Sequence, residues 1–144
     1  MIIKQISIFV ENKKGRLAEI TDIIAKAGAN IRALSIADTT DFGILRLIVD
    51  KPEDAAASLK EAGITVSVTN VIAIGIDDTP GAFSVPMRIL SEAEIDVEYM
   101  YAFITRKSER AYVILRVADN DAAAKVLLDK GVELLDEEGF HSLM

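Results

Sequence analysis

Asn12 and Asn30 bracket a glycine turn and an apolar-periodic stretch, VENKKGRLAEITDIIAKAGANI over residues 10–31. An asparagine side chain donates and accepts at once, so it can hold both the ammonium and the carboxylate of a small zwitterion. If Gly15 opens a helix, the amides after it lack intrahelical acceptors and carry the positive end of the dipole, which suits the carboxylate. Glycine adds no Cβ to block the approach. Lys13, Lys14 and Arg16 surround this turn with cations, which either favour an anion or form a solvated face. The candidate binding residues here are Asn12, Lys14, Gly15, Arg16, Leu17, Asn30 and Ile31.

The positioning element is legible between them. Leu17, Ile20, Ile23, Ile24 and Ala27 recur at the spacing of one buried helix face. They predict a helix over 16–27 with Gly28 as its C′ residue. Asn12 and Asn30 then lie at opposite ends of that helix. They can share a site only if a second unit supplies one of them.

The chain contains such a second unit. A shift of 66 (78 − 12) places Asn12 on Asp78, Gly15 on Gly81, Leu17 on Phe83, Ile24 on Leu90, Asn30 on Asp96 and Ile31 on Val97. The preceding alternation matches too, with Ile6, Ile8 and Val10 on Ile72, Ile74 and Ile76. The second set of candidates is Asp78, Pro80, Gly81, Ala82, Phe83, Asp96 and Val97. Its aspartates accept only, so they repel a ligand carboxylate and favour an ammonium or a basic side chain. The Asn12 loop is therefore the better place for a carboxylate. Gly15, Gly81, Asn30 and Asp96 also have a plain reading as turn residues.

Each copy reads strand (2–10; 71–76), helix (16–27; 82–93), two strands, the second at 44–50 or 112–118, Ala-rich helix (53–62; 121–130) and last strand (64–68; 132–135). This β-α-β-β-α-β order is the ferredoxin-like arrangement. The expected fold class is α+β, two repeats with antiparallel sheets and helices on one face. The expected domains are 1–69 and 70–144, with Thr69-Asn70 as the linker. Two residues span at most ~7 Å, so the repeats are expected to pack side by side. Pro86 predicts a kink or an irregular first turn in the second long helix.

Composition narrows the function classes. The 144 residues are 51% hydrophobic, enough to bury a core, and carry a formal charge of −7, which disfavours nucleic acid and acidic membrane as partners. There is no cysteine, hence no thiolate nucleophile or zinc-thiolate site. No apolar run approaches the ~20 residues of a membrane span, and no signal-peptide pattern opens the chain, so a cytoplasmic location is expected. No P-loop, dinucleotide fingerprint or nucleophile elbow occurs. The acidic groups Asp77-Asp78, Asp119/Asp121 and Asp136-Glu137-Glu138 lack calcium-loop spacing and read as surface charge. His141, near the C-terminus, reads as a tail residue. Phe83, Tyr99, Met100, Tyr101 and Phe103 read as core or repeat-interface residues. Neither an enzyme nor a cofactor or metal site is expected.

"NKKGRL…AGANI", and its second copy "DTPGAF…AEIDV", resemble the ACT domain, a small regulatory module of amino-acid metabolism. The resemblance covers both halves and implies a stand-alone tandem that binds a free amino acid between paired units. It implies that the loop residue of one unit faces the strand-start residue of another, Asn12 with Asp96 or Asp78 with Asn30, within the chain or in a homodimer. The "VEN…G" opening is also similar to acetolactate synthase regulatory subunits. That similarity implies the alternative of a regulatory subunit docking on an amino-acid biosynthetic enzyme with a vestigial pocket.

Overall fold

The computed structural model describes residues 1–38, 41–105 and 107–143. Its contacts divide the chain into two compact units, Lys4–Thr69 and Asn70–Met144 together with Met1–Ile3.

In the first unit, β1 (Ile3–Glu11) turns through Gly15 into α1 (Arg16–Lys26). Strands β2 (Ile31–Asp38) and β3 (Phe42–Val49) follow, then α2 (Pro52–Glu61). The strands lie in the order β2-β3-β1, all antiparallel. The chain returns along β1, where the Phe9 amide donates to the Thr65 carbonyl at 3.1 Å. Alternation decides the faces. Ile6, Ile8 and Val10 turn inward with Leu45, Leu47 and Val49, and meet Ile20 and Ile24 of α1 and Ala55 and Leu59 of α2. Each fully buried Ile or Leu contributes about 1.5–3 kcal/mol, so this stripe fixes the register of helix on sheet. Pro52 opens α2 at a position where its missing N–H has no intrahelical acceptor to lose.

The second unit repeats the plan. Its first strand is the later part of β4 (Val66–Ile76), followed by α3 (Ser84–Glu92), β5 (Val97–Ile104), β6 (Ala111–Val117), α4 (Asn120–Asp129) and β7 (Glu133–Leu135). The order is β7-β4-β6-β5, antiparallel throughout. Ile72 and Ile74 pack with Val113, Leu115, Val117, Leu90, Ala123 and Leu127. Phe83 joins the rim of this core and Phe103 stacks on Tyr112, whereas Met100 is exposed. Among the described residues no helix is long and apolar enough to cross a membrane.

Several local features differ from the sequence reading. Thr69 and Asn70 form no loop; β4 runs through them as one strand. The helix expected from residue 82 begins at Ser84, after a turn in which Ala82 N donates to Thr79 O and Ser84 N to Gly81 O, both at 3.2 Å. Pro86 thereby falls in the first helical turn, where no intrahelical amide bond is lost. The C-terminus is not a tail. Residues Glu137–Ser142 form α5, Phe140 is fully buried against Phe103, and half-buried His141 meets the Phe140 ring edge-on at 5.6 Å. Within the acidic groups that the sequence reads as surface charge, Asp77, Asp119 and Asp136 have structural partners. Asp119 and Asp136 cap α4 and α5 by accepting from Ala122 N and Gly139 N, and Asp77 binds Arg110.

Candidate functional site

The first loop is built from backbone bonds. Asn12 N donates to Asp41 O at 3.1 Å, tying the end of β1 to the start of β3, and Arg16 N donates to Lys13 O at 3.2 Å. Gly15 holds the left-handed conformation at φ 80° and leaves α1 without a side-chain cap. Arg16 N is thus occupied, and the Leu17 and Ala18 amides remain as the first-turn donors without intrahelical acceptors.

These residues enclose a recess of about 90 Å³. Asn12, Lys13, Arg16 and Leu17 line one side, Ile36 and Asp38 of β2 another, with Gly43 of β3 between them. A Cβ on Gly43 would stand 3.1 Å from the Ala37 carbonyl, so the two strands approach closely here because that residue has none. The cations are partly neutralised from within. Lys13 pairs with Glu11 at 2.7 Å and Arg16 with Glu19 at 2.9 Å. The hydrogen bond from Lys13, then its charge, holds the Glu11 carboxyl below its ordinary range. Among the described residues the buried Arg16 Nε has no acceptor, while Lys14 is exposed and lines no part of the recess.

Asn30 lies at the far end of α1, as the helix length requires. Its amide donates to Asp50 Oδ1 at 2.8 Å and its carbonyl accepts from Asp50 N at 3.1 Å. Ile31 packs against the first core. The structure therefore brings Asn12, Arg16 and Leu17 together and keeps Asn30 and Ile31 away from them within this unit. Ile36, Asp38 and Gly43 were missed by the sequence reading. Strand alternation could have put Ile36 and Asp38 on one face, but only the register that pairs Asp38 with Gly43 sets them beside the loop.

The second loop is anchored otherwise. Asp78, Pro80 and Gly81 are exposed, and Phe83 packs on the second core. Arg110 donates to Asp77 at 2.7 Å and to Gly75 O at 2.9 Å, and its Nε lies 2.9 Å from the Glu133 carboxylate. Ala82 lines a cavity of about 200 Å³ beside this ion cluster, with Pro86 and Gly131. By the repeat shift Gly75 corresponds to Phe9 (75 − 66 = 9), and by strand register Arg110 corresponds to Phe42. Phe9 and Phe42 stack with centroids 4.3 Å apart. An aromatic pair in one repeat is thus an ion cluster in the other. Asp96 sits apart from the second loop, in an open depression with Glu94, Glu98 and Asp119, and Val97 packs on the core. Those four carboxylates repel an anion. Among the described residues no group of three or more His, Cys, Asp or Glu is arranged to hold a metal ion.

Two βαββαβ units in tandem, each turning through a left-handed glycine toward its first helix, define a duplicated ferredoxin-like module. The family model for the ACT domain pair matches residues 1–144, and the chain belongs to that family. Protein BT0572 from Bacteroides thetaiotaomicron is 40% identical, with a TM-score of 0.92, over 99% of this chain and 98% of that one. The fold is also that of the regulatory subunit of aspartate kinase from Thermus thermophilus, at 16% identity, TM-score 0.62, and 89% and 92% coverage. A third likeness is to the aspartokinase alpha and beta subunits, at 17% identity, TM-score 0.56, and 89% and 95% coverage. A search of the curated proteins finds no match.

Proposed function

We propose that this chain is a non-catalytic regulatory protein that binds a free amino acid at the Asn12 loop and passes the binding on as a shift in assembly. The observation that carries this reading is the recess at the start of α1. It combines helix-terminal amides, the Asn12 and Arg16 side chains and the apolar Leu17 and Ile36.

A homodimer completes the site. Strand β2 is an edge strand whose Leu34 and Ile36 are 59% and 49% exposed, an apolar edge that soluble proteins rarely leave unpaired. Antiparallel pairing with β2 of a second copy sets the Asn30 end of one strand beside the Asp38 end of the other. Asn12 and Asn30 of the second copy then meet across the interface, which explains two asparagines at opposite ends of one helix. Pairing of this kind couples ligand occupancy to assembly, since a ligand touching both chains favours the dimer by its differential affinity.

Calorimetric melting against each of the twenty amino acids tests the reading, the chain having no Trp to report by fluorescence. A ligand at 100 times its Kd contributes about 2.7 kcal/mol, which raises Tm by roughly 5–10 °C at this chain length. The expected result is a shift from one or a few amino acids that Asn12→Ala and Asn30→Ala both remove. No shift with any of them overturns the reading and favours the alternative, a subunit that docks on a biosynthetic enzyme without ligand. The regulatory subunit of aspartate kinase shares this fold and illustrates that role.

A further inference from the structure

We propose that the open groove on the helix-free face of the first sheet docks a short helix of a partner protein. That helix inserts one aromatic side chain, as α5 does on the corresponding face of the second unit. Occupancy of the Asn12 recess is not required for it.

Strand alternation puts Ser7, Phe9, Ile44, Thr65 and Ser67 on the face of the first sheet opposite α1 and α2. Together with Ile8 and Val66 they line a groove of about 180 Å³, room for one large side chain. Phe9 is 45% exposed and stacks on Phe42, so an aromatic wall stands in water beside a rim of hydroxyls. Exposed apolar clusters rimmed by polar groups mark interaction surfaces.

The second unit shows what covers such a face. By repeat shift and strand register the five positions correspond to Ala73, Gly75, Tyr112, Glu133 and Leu135. All but Glu133, which pairs with Arg110, are buried. After Leu135 the chain turns back over this face as α5. Phe140 meets Phe103 edge-on at 5.0 Å, Phe103 stacks on Tyr112, and a Cβ on Gly139 would touch Leu135 at 3.7 Å. At Ser67, by contrast, the chain is already in β4 and runs on, so among the described residues the first unit has no such helix of its own.

Chemistry decides the occupant. On a sheet face the backbone groups are already paired along the ladders, so an added strand has nothing to bond, whereas a helix satisfies its own. The Phe9–Phe42 wall favours an aromatic ring set edge-on, the geometry of Phe140 on Phe103. Thr65 and Phe42 stand where the second unit has Glu133 and Arg110, and no residue lining the groove is charged. Docking is therefore expected to depend little on salt. A second copy applying the same face sets groove against groove and fills neither.

NMR of the methyl-labelled full chain tests this, with a hydrocarbon-stapled peptide of residues 135–144, LDEEGFHSLM, standing in for the partner helix. Saturable shifts are expected at the Ile44 and Val66 methyls, and the same peptide carrying Phe140→Ala is expected to bind more weakly by about tenfold or more. Ser67→Arg, at an exposed rim position, is expected to fill the groove and abolish those shifts while the circular dichroism and the Leu135 methyls stay as in the parent. Shifts confined to Leu134 and Leu135 mean that the peptide only exchanges with α5, and they overturn the docking site. So does equal binding of the Phe140→Ala peptide, or no shift at Ile44 up to about 1 mM peptide. Ile44 and Val66 shifts that follow protein concentration without peptide overturn it too, since the cover is then a second copy.

Discussion

Gly28 and Glu94 occupy the same turn in the two repeats, and both are left-handed, at φ 75° and 58°. Each follows a long helix, where the next carbonyl-satisfying turn demands that conformation. For a residue with a Cβ it costs about 1–2 kcal/mol, so the second copy carries strain that the first avoids. Glu94→Gly removes it, less about 0.4–1 kcal/mol for the greater freedom of glycine in the unfolded chain. The expected net gain is about 0.5–1 kcal/mol, or roughly 1–4 °C in Tm by calorimetry. Gly28→Ala is expected to move Tm the other way for the same reason, since a Cβ there meets nothing closer than Lys51 Nζ at 3.8 Å.

The ion cluster of the second repeat depends on a missing side chain. A Cβ on Gly75 would lie 2.4 Å from Glu133 Oε2 and 3.0 Å from the Tyr112 ring. Gly75→Ala is therefore expected to expel Glu133 from Arg110 and to destabilise by about 1 kcal/mol, within the range of a partly exposed ion pair plus crowding. In a Glu133→Ala background most of that cost disappears, and the ring contact leaves a remainder. A urea-unfolding double-mutant cycle measures the coupling. Additive effects would mean that the glycine and the glutamate do not compete for one space.

Phe140 tests whether the C-terminal helix belongs to the fold. The ring is fully buried, 5.0 Å from Phe103 between centroids, and Thr105 and Lys107 donate to the Leu143 and Ser142 carbonyls. Phe140→Ala is expected to cost about 3 kcal/mol and to speed amide exchange across α5. Exchange in α5 as fast in the parent as in the variant would show that the helix does not dock.

Acid sensitivity follows from two exposed pairs. Hydrogen bonding from Lys4 lowers the Glu53 carboxyl below 4.5, and Lys13 does so for Glu11. A carboxyl lowered in the folded state binds its proton more readily when unfolded. Its contribution is present above the unfolded value and fades as pH falls through the folded one. NMR titration is expected to place both carboxyls below the ordinary glutamate value, and Lys4→Met to raise Glu53 alone, part of its lowering remaining with a backbone hydrogen bond. Both carboxyls are exposed, so molar salt is expected to erase most of the difference.

The repeat made the fold legible because both periodicities recur in register. Two copies of an alternating strand followed by a helical stripe leave few arrangements that bury both faces. The unbroken β4 was hidden because Thr69 and Asn70 are polar turn formers in isolation, and only pairing turns them into strand. The C-terminal helix was hidden because six residues carry no helical period, and Phe140 becomes an anchor only when Phe103 is beneath it. At the candidate site, the glycine turn and the helix start were visible in NKKGRL. The sequence leaves the cations of that loop either favouring an anion or forming a solvated face, and only the structure shows that Lys13 pairs with Glu11 and Arg16 with Glu19.

The sequence by itself determined the duplication, the βαββαβ order, the inward faces and the separation of Asn12 from Asn30, all of which follow from local period and chain length. Tertiary structure decided that Ile36, Asp38 and Gly43 wall the first recess, and that Arg110 stands where the first repeat has Phe42. The reason is register. Which residues of two strands lie opposite one another is set by the packing of whole faces, and a stretch of sequence does not contain its partner.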